Sequence, residues 1–338
     1  MKAVVLVGGE GTRMRPLTET IPKPLLPLVD RPILDHVLDH LVAHGVDEVV
    51  MSSPYLEETF HPFIEERSGN PAIRWVTERE PLGTGGAIVN VLELLGAEPF
   101  FALNSDILTD LDLTEMRTIH EGVGAAVTIA LHHVDDARAF GLVDTDPTGR
   151  IVAFREKPPD AIPGDINAGI YVVDPSALRA WPPGGYLWIE GEVFPRLIEH
   201  GALVMGFASD AYWLDLGTPE SYLRGHADLL DGRIGRRYEA PWLSRDVIVD
   251  ATAEIGRSVV VGRGGIIGPG ARVERSVVLP DARIGAGARV EDSILGPRAE
   301  VGEGAAVIGC VLGEGASVAG GAELRDARVP AGVLADPS

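Results

Sequence analysis

Three glycines, two arginines and a lysine crowd the start of the chain: Gly8, Gly9, Gly11, Arg13, Arg15 and Lys23. They follow Ala3 to Val7, a β-branched run of the kind that forms a buried strand. Glycine lets the backbone turn sharply and bare its N–H groups. Lys23 stands between Pro22 and Pro24, in a segment too proline-rich to be helical. Glycine amides, guanidiniums and a stiffened ammonium together suit a polyphosphate. Two familiar nucleotide motifs do not fit. A GxGxxG reading from Gly9 and Gly11 would need glycine where Met14 stands, and no GxxxxGK[ST] string occurs.

Two carboxylates and a second lysine extend the set. Asp106 ends FFALNSD, where an apolar strand delivers Asn104 and Asp106 to its carboxyl end, and Asp215 lies in YWLDLGTPESY, a strand running into a Gly-Thr-Pro helix start. Isolated aspartates at strand ends are usually caps or turn formers. Lys157 follows Glu156 in FREKP, and an arbitrary Glu-Lys pair is usually a surface salt bridge. Of 29 basic residues only Lys2, Lys23 and Lys157 are lysines. An arginine-dominated chain that keeps lysine inside two motif-like strings points to places where a compact ammonium is wanted.

The opening string, Gly8-Gly9-Glu10-Gly11-Thr12-Arg13, then Pro16-Leu17-Thr18, then Pro22-Lys23-Pro24-Leu25-Leu26-Pro27, resembles the signature of the sugar-1-phosphate nucleotidyltransferases. LNSD, EPLGTGG, FREKP, INAGIYV and EVFP resemble further family elements, and the likeness covers nearly the whole chain. It implies nucleotide contacts from Leu6, Gly8, Gly9, Gly11, Thr12, Arg13, Lys23, Glu80, Pro81, Gly83, Thr84 and Asp106. It implies sugar-phosphate contacts from Asn104, Gly141, Glu156, Lys157, Asn167, Gly169 and Glu190. Arg13, Lys23, Asp106, Lys157 and Asp215 would carry the catalysis, with Asp106 and Asp215 holding Mg²⁺. Glu190, like Glu192, could equally cap the following helix. The implied substrates are an NTP and a sugar 1-phosphate, with GTP and mannose 1-phosphate favoured. Thymidylyl- or uridylyl-transfer to glucose 1-phosphate, transfer to a cyclitol or heptose phosphate, and a non-catalytic regulatory paralogue remain alternatives.

The elements that must position these groups follow a doubly wound α/β pattern. Helices are expected at 32–44, 56–66, 84–95, 113–121 and from Pro219 to about Leu230, alternating with strands at 46–52, 73–77, 99–104 and 125–132. Such alternation means a mostly parallel, Rossmann-like sheet covered on both faces, with ligands beyond the carboxyl ends of its strands. A β-rich middle has runs at 141–145, 151–155 and 168–173. Residues 231–246 lack periodicity, carry Arg233, Arg236, Arg237 and Arg245, and read as a linker between a 1–230 catalytic domain and a 247–338 domain.

From Val249 aliphatic residues recur every six positions, and later in steps of 6, 6 and 5. Ile267, Ile284, Val301 and Val318 are spaced by 17, as are Val273, Val290, Val307 and Leu324, and Val278, Leu295, Leu312 and Val329. Three short sides per coil, each with one inward aliphatic, describe a parallel β-helix. Its resemblance to the hexapeptide-repeat family implies a left-handed coil. Many such proteins are acyltransferases with a histidine base, but all nine histidines here lie at or before His226. The coil therefore reads as packing and assembly, and a homo-oligomer, dimer or tetramer, is expected.

With 338 residues and 45% hydrophobic content, the chain can bury two cores. Its net charge of −21 disfavours nucleic-acid polymers and anionic membranes as partners. A single cysteine, Cys310, reads as a small buried apolar side chain in a reducing compartment. The five-residue apolar run after Met1-Lys2 is too short for a signal peptide or membrane span, so a cytoplasmic protein is expected.

Overall fold

The structure, a computed structural model, describes residues 1–54, 57–67 and 69–336, and of Glu57 and Glu156 the backbone alone. The expected first residue of the 56–66 helix, the last two residues of the chain and the Glu156 side chain lie outside the described residues. Two compact units make up the chain: Met1–Gly9 with His36–Trp213, and Glu10–Asp35 with the residues from Leu214 onward. The signature loop from Glu10 onward belongs to the second unit.

The first unit is built on a nine-stranded sheet. Its elements are β1 (Lys2–Leu6), α1 (Ile33–Ala43), β2 (Glu48–Ser53), α2 (Glu57–Glu66), β3 (Ala72–Thr77), α3 (Gly83–Asn90), β4 (Phe100–Asn104), α4 (Leu113–Val123), β5 (Val127–Val134), β6 (Gly141–Thr145), β7 (Ile151–Glu156), β8 (Gly164–Val173) and β9 (Val204–Ala208). Strand order is β7-β6-β8-β4-β1-β2-β3, with β5 joining β8 and β9 joining β5. β1 pairs in parallel with β2 (Val4↔Val50) and β4 (Val4↔Ala102), and Ala3, Val4 and Val5 are wholly buried. That is why this strand reads as a continuous apolar run. The β-rich middle supplies an antiparallel half: β8 runs against β4, β5 and β6, and β6 against β7. Strand β9 was not foreseen; it pairs in parallel with β5, Val204 opposite Val127.

The expected 84–95 helix comes as two pieces, α3 and Leu92–Leu95. Val91 between them has φ −105° and ψ 4°, its N–H bonding Ile88 O at 3.2 Å. Its β-branched side chain is fully buried with Ile88 and Leu95 in the sheet core, so packing overrides helical continuity.

In the second unit the signature segment is a chain of single turns, Thr12–Met14, Leu17–Glu19 and Lys23–Leu25. Helix α5 (Pro219–Leu230) opens with a capping box, Thr218 and Ser221 satisfying each other's backbone N–H. Three parallel sheets of six, six and five strands follow. They form the β-helix read from the repeat, left-handed as the family resemblance implied: Val261, Val278, Leu295, Leu312 and Val329 are stacked inside, as are Ile267, Ile284, Val301 and Val318. The first coil begins inside the stretch read as a linker, Trp242–Leu243 pairing with Val260–Val261. Arg236 and Tyr238 of that stretch both bond Asp30.

Candidate active site

In the first unit, four of the predicted residues, Thr84, Asn167, Gly169 and Glu190, share one polar network. The Thr84 hydroxyl donates to Glu190 Oε2 at 3.1 Å, and Tyr171 Oη donates to Glu190 Oε1 at 3.2 Å. Asn167 Nδ2 donates to Tyr171 Oη at 2.8 Å, while its Oδ1 accepts the Gly169 N–H at 2.9 Å. Gly169 has φ +73°, and a Cβ there would lie 2.5 Å from Asn104 Nδ2. Only glycine lets the two strands β4 and β8 bring Asn104 against this turn. Tyr171, buried at the centre of the network, was not singled out from the sequence, although it lies inside INAGIYV. Glu190 sits in the first turn of a five-residue π turn, Ile189–Val193, and its carboxylate accepts from Thr84 and Tyr171. Glu192 accepts instead from the Trp188 N–H at 3.4 Å.

A second group forms where β6 and β7 pair. Gly141 lies opposite Glu156, and the Lys157 N–H bonds Phe140 O at 3.0 Å. Lys157 takes φ +43°, a left-handed conformation for a residue with a side chain, immediately before Pro158. Such outliers mark places where the surrounding structure dictates where a side chain goes. Trp213 donates to Ala168 O at 2.9 Å and packs on Phe140 and His132. His132 is thus packed and the exposed His133 bonds Asp165, so neither joins the site.

The loop Glu80–Thr84 leaves Glu80 and Pro81 exposed and Gly83 and Thr84 half-buried. Its anchor is Glu78, which sequence reasoning passed over: the buried carboxylate accepts from the Ser52 hydroxyl at 2.8 Å and the Leu82 N–H at 3.1 Å. A lone glutamate before a glycine loop carries no distinguishing signal. Leu6 and Asn104 end β1 and β4, neighbours in register; Gly8 follows β1 and half-buried Asp106 follows β4.

In the second unit Gly11, at φ +61°, lets Thr18 and Lys23 close over it: a Cβ would lie 3.0 Å from Thr18 Cγ2 and 3.2 Å from Lys23 Cβ. The Thr18 hydroxyl also bonds Gly11 O at 2.8 Å. Exposed Thr12 and Arg13 ride on the next turn. Arg13 Nη2, on a side chain more than half exposed, lies 3.5 Å from Oδ2 of the largely buried Asp215, a long and therefore weak ion pair. The site residues therefore fall into sets: Thr84, Asn104, Asn167, Gly169 and Glu190 together, Gly141 with Glu156 and Lys157, and Gly11, Arg13, Lys23 and Asp215 together.

Among the described residues no three His, Cys, Asp or Glu side chains gather as a cage. A lone carboxylate such as Asp106, or in the other unit Asp215, is the kind of donor that a hard divalent cation accepts when substrate phosphates and waters supply its remaining ligands, so each by itself is compatible with one.

An α/β domain with a glycine-rich, cation-bearing loop and an appended β-helix defines a nucleotidyltransferase. The chain belongs to the nucleotidyl transferase family, which matches residues 2–232, and residues 239–331 match the GMPPB C-terminal domain. It is 40% identical over 289 residues to a mannose-1-phosphate guanylyltransferase of Mycobacterium tuberculosis, covering 83% of this chain and 80% of that one. It is 34% identical over 303 residues to mannose-1-phosphate guanylyltransferase 1 of Arabidopsis thaliana, covering 84% and 82%. Among solved structures, HddC from Yersinia pseudotuberculosis is similar with a TM-score of 0.59 and 28% identity, over 66% of this chain and 97% of that one. A second HddC structure, in complex with GMP-PN, matches with a TM-score of 0.58. Among the described residues no helix is long and apolar enough to cross a membrane.

Proposed function

We propose that the protein joins mannose 1-phosphate to GTP, giving GDP-mannose and pyrophosphate. The observation that carries this is the 40% identity to the mycobacterial mannose-1-phosphate guanylyltransferase over 83% of this chain and 80% of that one, beside the GMPPB C-terminal domain match at residues 239–331. The sugar phosphate oxygen attacks the α-phosphorus in line, and the bond from that phosphorus to the pyrophosphate oxygen breaks. A sugar phosphate is ionised at neutral pH, so no general base is required. The protein's task is to hold two mutually repelling anions and to stabilise the charge that grows on the leaving group.

Gly8, Gly9, Gly11, Thr12, Arg13 and Lys23 would cradle the triphosphate and the departing pyrophosphate, with Leu6, Glu80, Pro81, Gly83 and Thr84 around the nucleoside. Lys157 would hold the incoming phosphate, and Asn104, Gly141, Glu156, Asn167, Gly169 and Glu190 the sugar. Asp106 and Asp215 would hold Mg²⁺, which when bound supplies charge neutralisation at the phosphates. Buried Cys310 suits a reducing, cytoplasmic setting, and the β-helix suits a homo-oligomer.

The test is pyrophosphate release from every pairing of GTP, dTTP, UTP, ATP and CTP with hexose, heptose and cyclitol 1-phosphates, with and without Mg²⁺. GTP with mannose 1-phosphate should give the highest kcat/KM; a different optimum replaces this reading. Lys23→Ala and Asp106→Asn should each lower kcat by about 10²–10³ without unfolding the protein, the loss expected for one preorganised charge. Near-normal turnover in both would sink the assignment.

A further inference from the structure

We propose that Arg328, on the last full coil of the β-helix, is a positioning residue for the glycine-rich loop, so that the β-helix sets the geometry of the phosphate cradle. Its Nη1 donates to Arg13 O at 2.7 Å and to Arg15 O at 2.8 Å, across more than three hundred residues of chain. The proposal rests on the nucleotidyl-transfer reading only for what the loop binds.

The loop needs such a hold. Its own backbone bonds are the single turns Met14 N–H to Gly11 O at 2.9 Å and Arg15 N–H to Thr12 O at 3.2 Å. A turn this short leaves its last carbonyls for an outside donor. The side chains of Arg13 and Arg15 are more than half exposed and fix little. One charged donor on both carbonyls fixes the peptide units from which Arg13 departs toward Asp215. Farther along the segment, Asp30 is bonded by Arg236 and Tyr238, and the Val29 N–H donates to His226 Nδ1 at 3.2 Å. The segment is therefore pinned at both ends within its own unit.

The repeat itself marks the position. In register below Arg328 stand Val260, Val277, Ile294 and Val311, which point outward yet are at most 5% exposed and lie outside the interior cluster. The column is aliphatic for four coils and then switches to arginine at the coil whose side chain meets the loop. Coil packing gives no reason for that switch; two carbonyls awaiting a donor do.

The experiment compares full-length Arg328→Ala and Arg328→Lys with Arg325→Ala, an exposed arginine of the same coil paired with Glu323. Hydrogen exchange at residues 11–16 of the ligand-free protein should quicken about tenfold or more in Arg328→Ala, as expected for loss of a charge-assisted bond, with partial recovery in Arg328→Lys and none of the effect in Arg325→Ala. In turnover, KM for GTP should rise roughly tenfold while KM for mannose 1-phosphate stays within about twofold. Unchanged exchange at 11–16, or a parallel rise of both KM values with a lowered Tm, overturns the proposal. The exchange readout needs no turnover, so a wild-type protein inactive on every substrate pair would end the functional reading and leave the Arg328 test decisive.

Discussion

Gly169 shows how little a functional residue type reveals on its own. At its φ of +73° a Cβ would lie 2.5 Å from Asn104 Nδ2, which leaves no room for a methyl group. Gly169→Ala should push Asn104 from the turn and raise KM for mannose 1-phosphate by about tenfold, with KM for GTP little changed; equal effects on both would separate this turn from the sugar. Tyr171 is the network's hinge, accepting from Asn167 and donating to Glu190. Tyr171→Phe leaves the ring in the core but strips Glu190 and Asn167 of their shared partner. A stability loss of about 1–3 kcal/mol in urea unfolding is expected, with a raised sugar-phosphate KM.

At the scale of the element, the β-helix is held by more than its aliphatic stack. Ser276, Ser293 and Cys310 stand 17 residues apart and form a buried ladder. Each hydroxyl donates to a carbonyl two residues back at 2.6 Å and accepts the N–H one coil on, at 3.1 Å and 3.0 Å. Cys310 takes the third rung: its Sγ lies 3.2 Å from Ile308 O and 3.4 Å from the Ala327 N–H. The expectation of a merely apolar thiol was incomplete, since buried backbone groups depend on that sulfur. Burial pushes the thiol's pKa up, so it stays protonated and able to donate. Cys310→Ser should be nearly neutral, whereas Cys310→Val, of similar bulk, should cost about 1–3 kcal/mol in chemical denaturation; the reverse order would refute the ladder.

For the molecule as a whole, acid is the vulnerable direction. His40 is half-buried, its Nε2 lacks a hydrogen-bond partner among the described residues, and desolvation lowers its pKa from 6.5 to about 4, with His44 adding to the fall. Burial lowers His44 and His120 as well. A histidine whose folded pKa is depressed is neutral in both states above pH 6.5, so it leaves stability unchanged there. Below that pH the unfolded chain takes up protons first, and stability drains until the folded pKa is reached. Tm should therefore fall between about pH 6.5 and 4, and His40→Gln should flatten that slope. A Tm independent of pH across this window would contradict the burial of these rings.

Local chemistry could be read without a fold. The signature loop, the FREKP and INAGIYV strings and the 17-residue period all lie within short stretches, because turns, buried strands and repeat coils are specified by neighbours in sequence. The three-column period required a β-helix whatever surrounded it. Tertiary structure alone decided what distant residues do to one another. Glu78 under the glycine loop, Tyr171 between Asn167 and Glu190, Asp30 held by Arg236 and Tyr238, and Arg328 on the carbonyls of Arg13 and Arg15 leave no local pattern. Their partners are unsatisfied backbone groups and buried carboxylates, which any well-placed donor can serve, so chain path and not residue spacing selects the one that does.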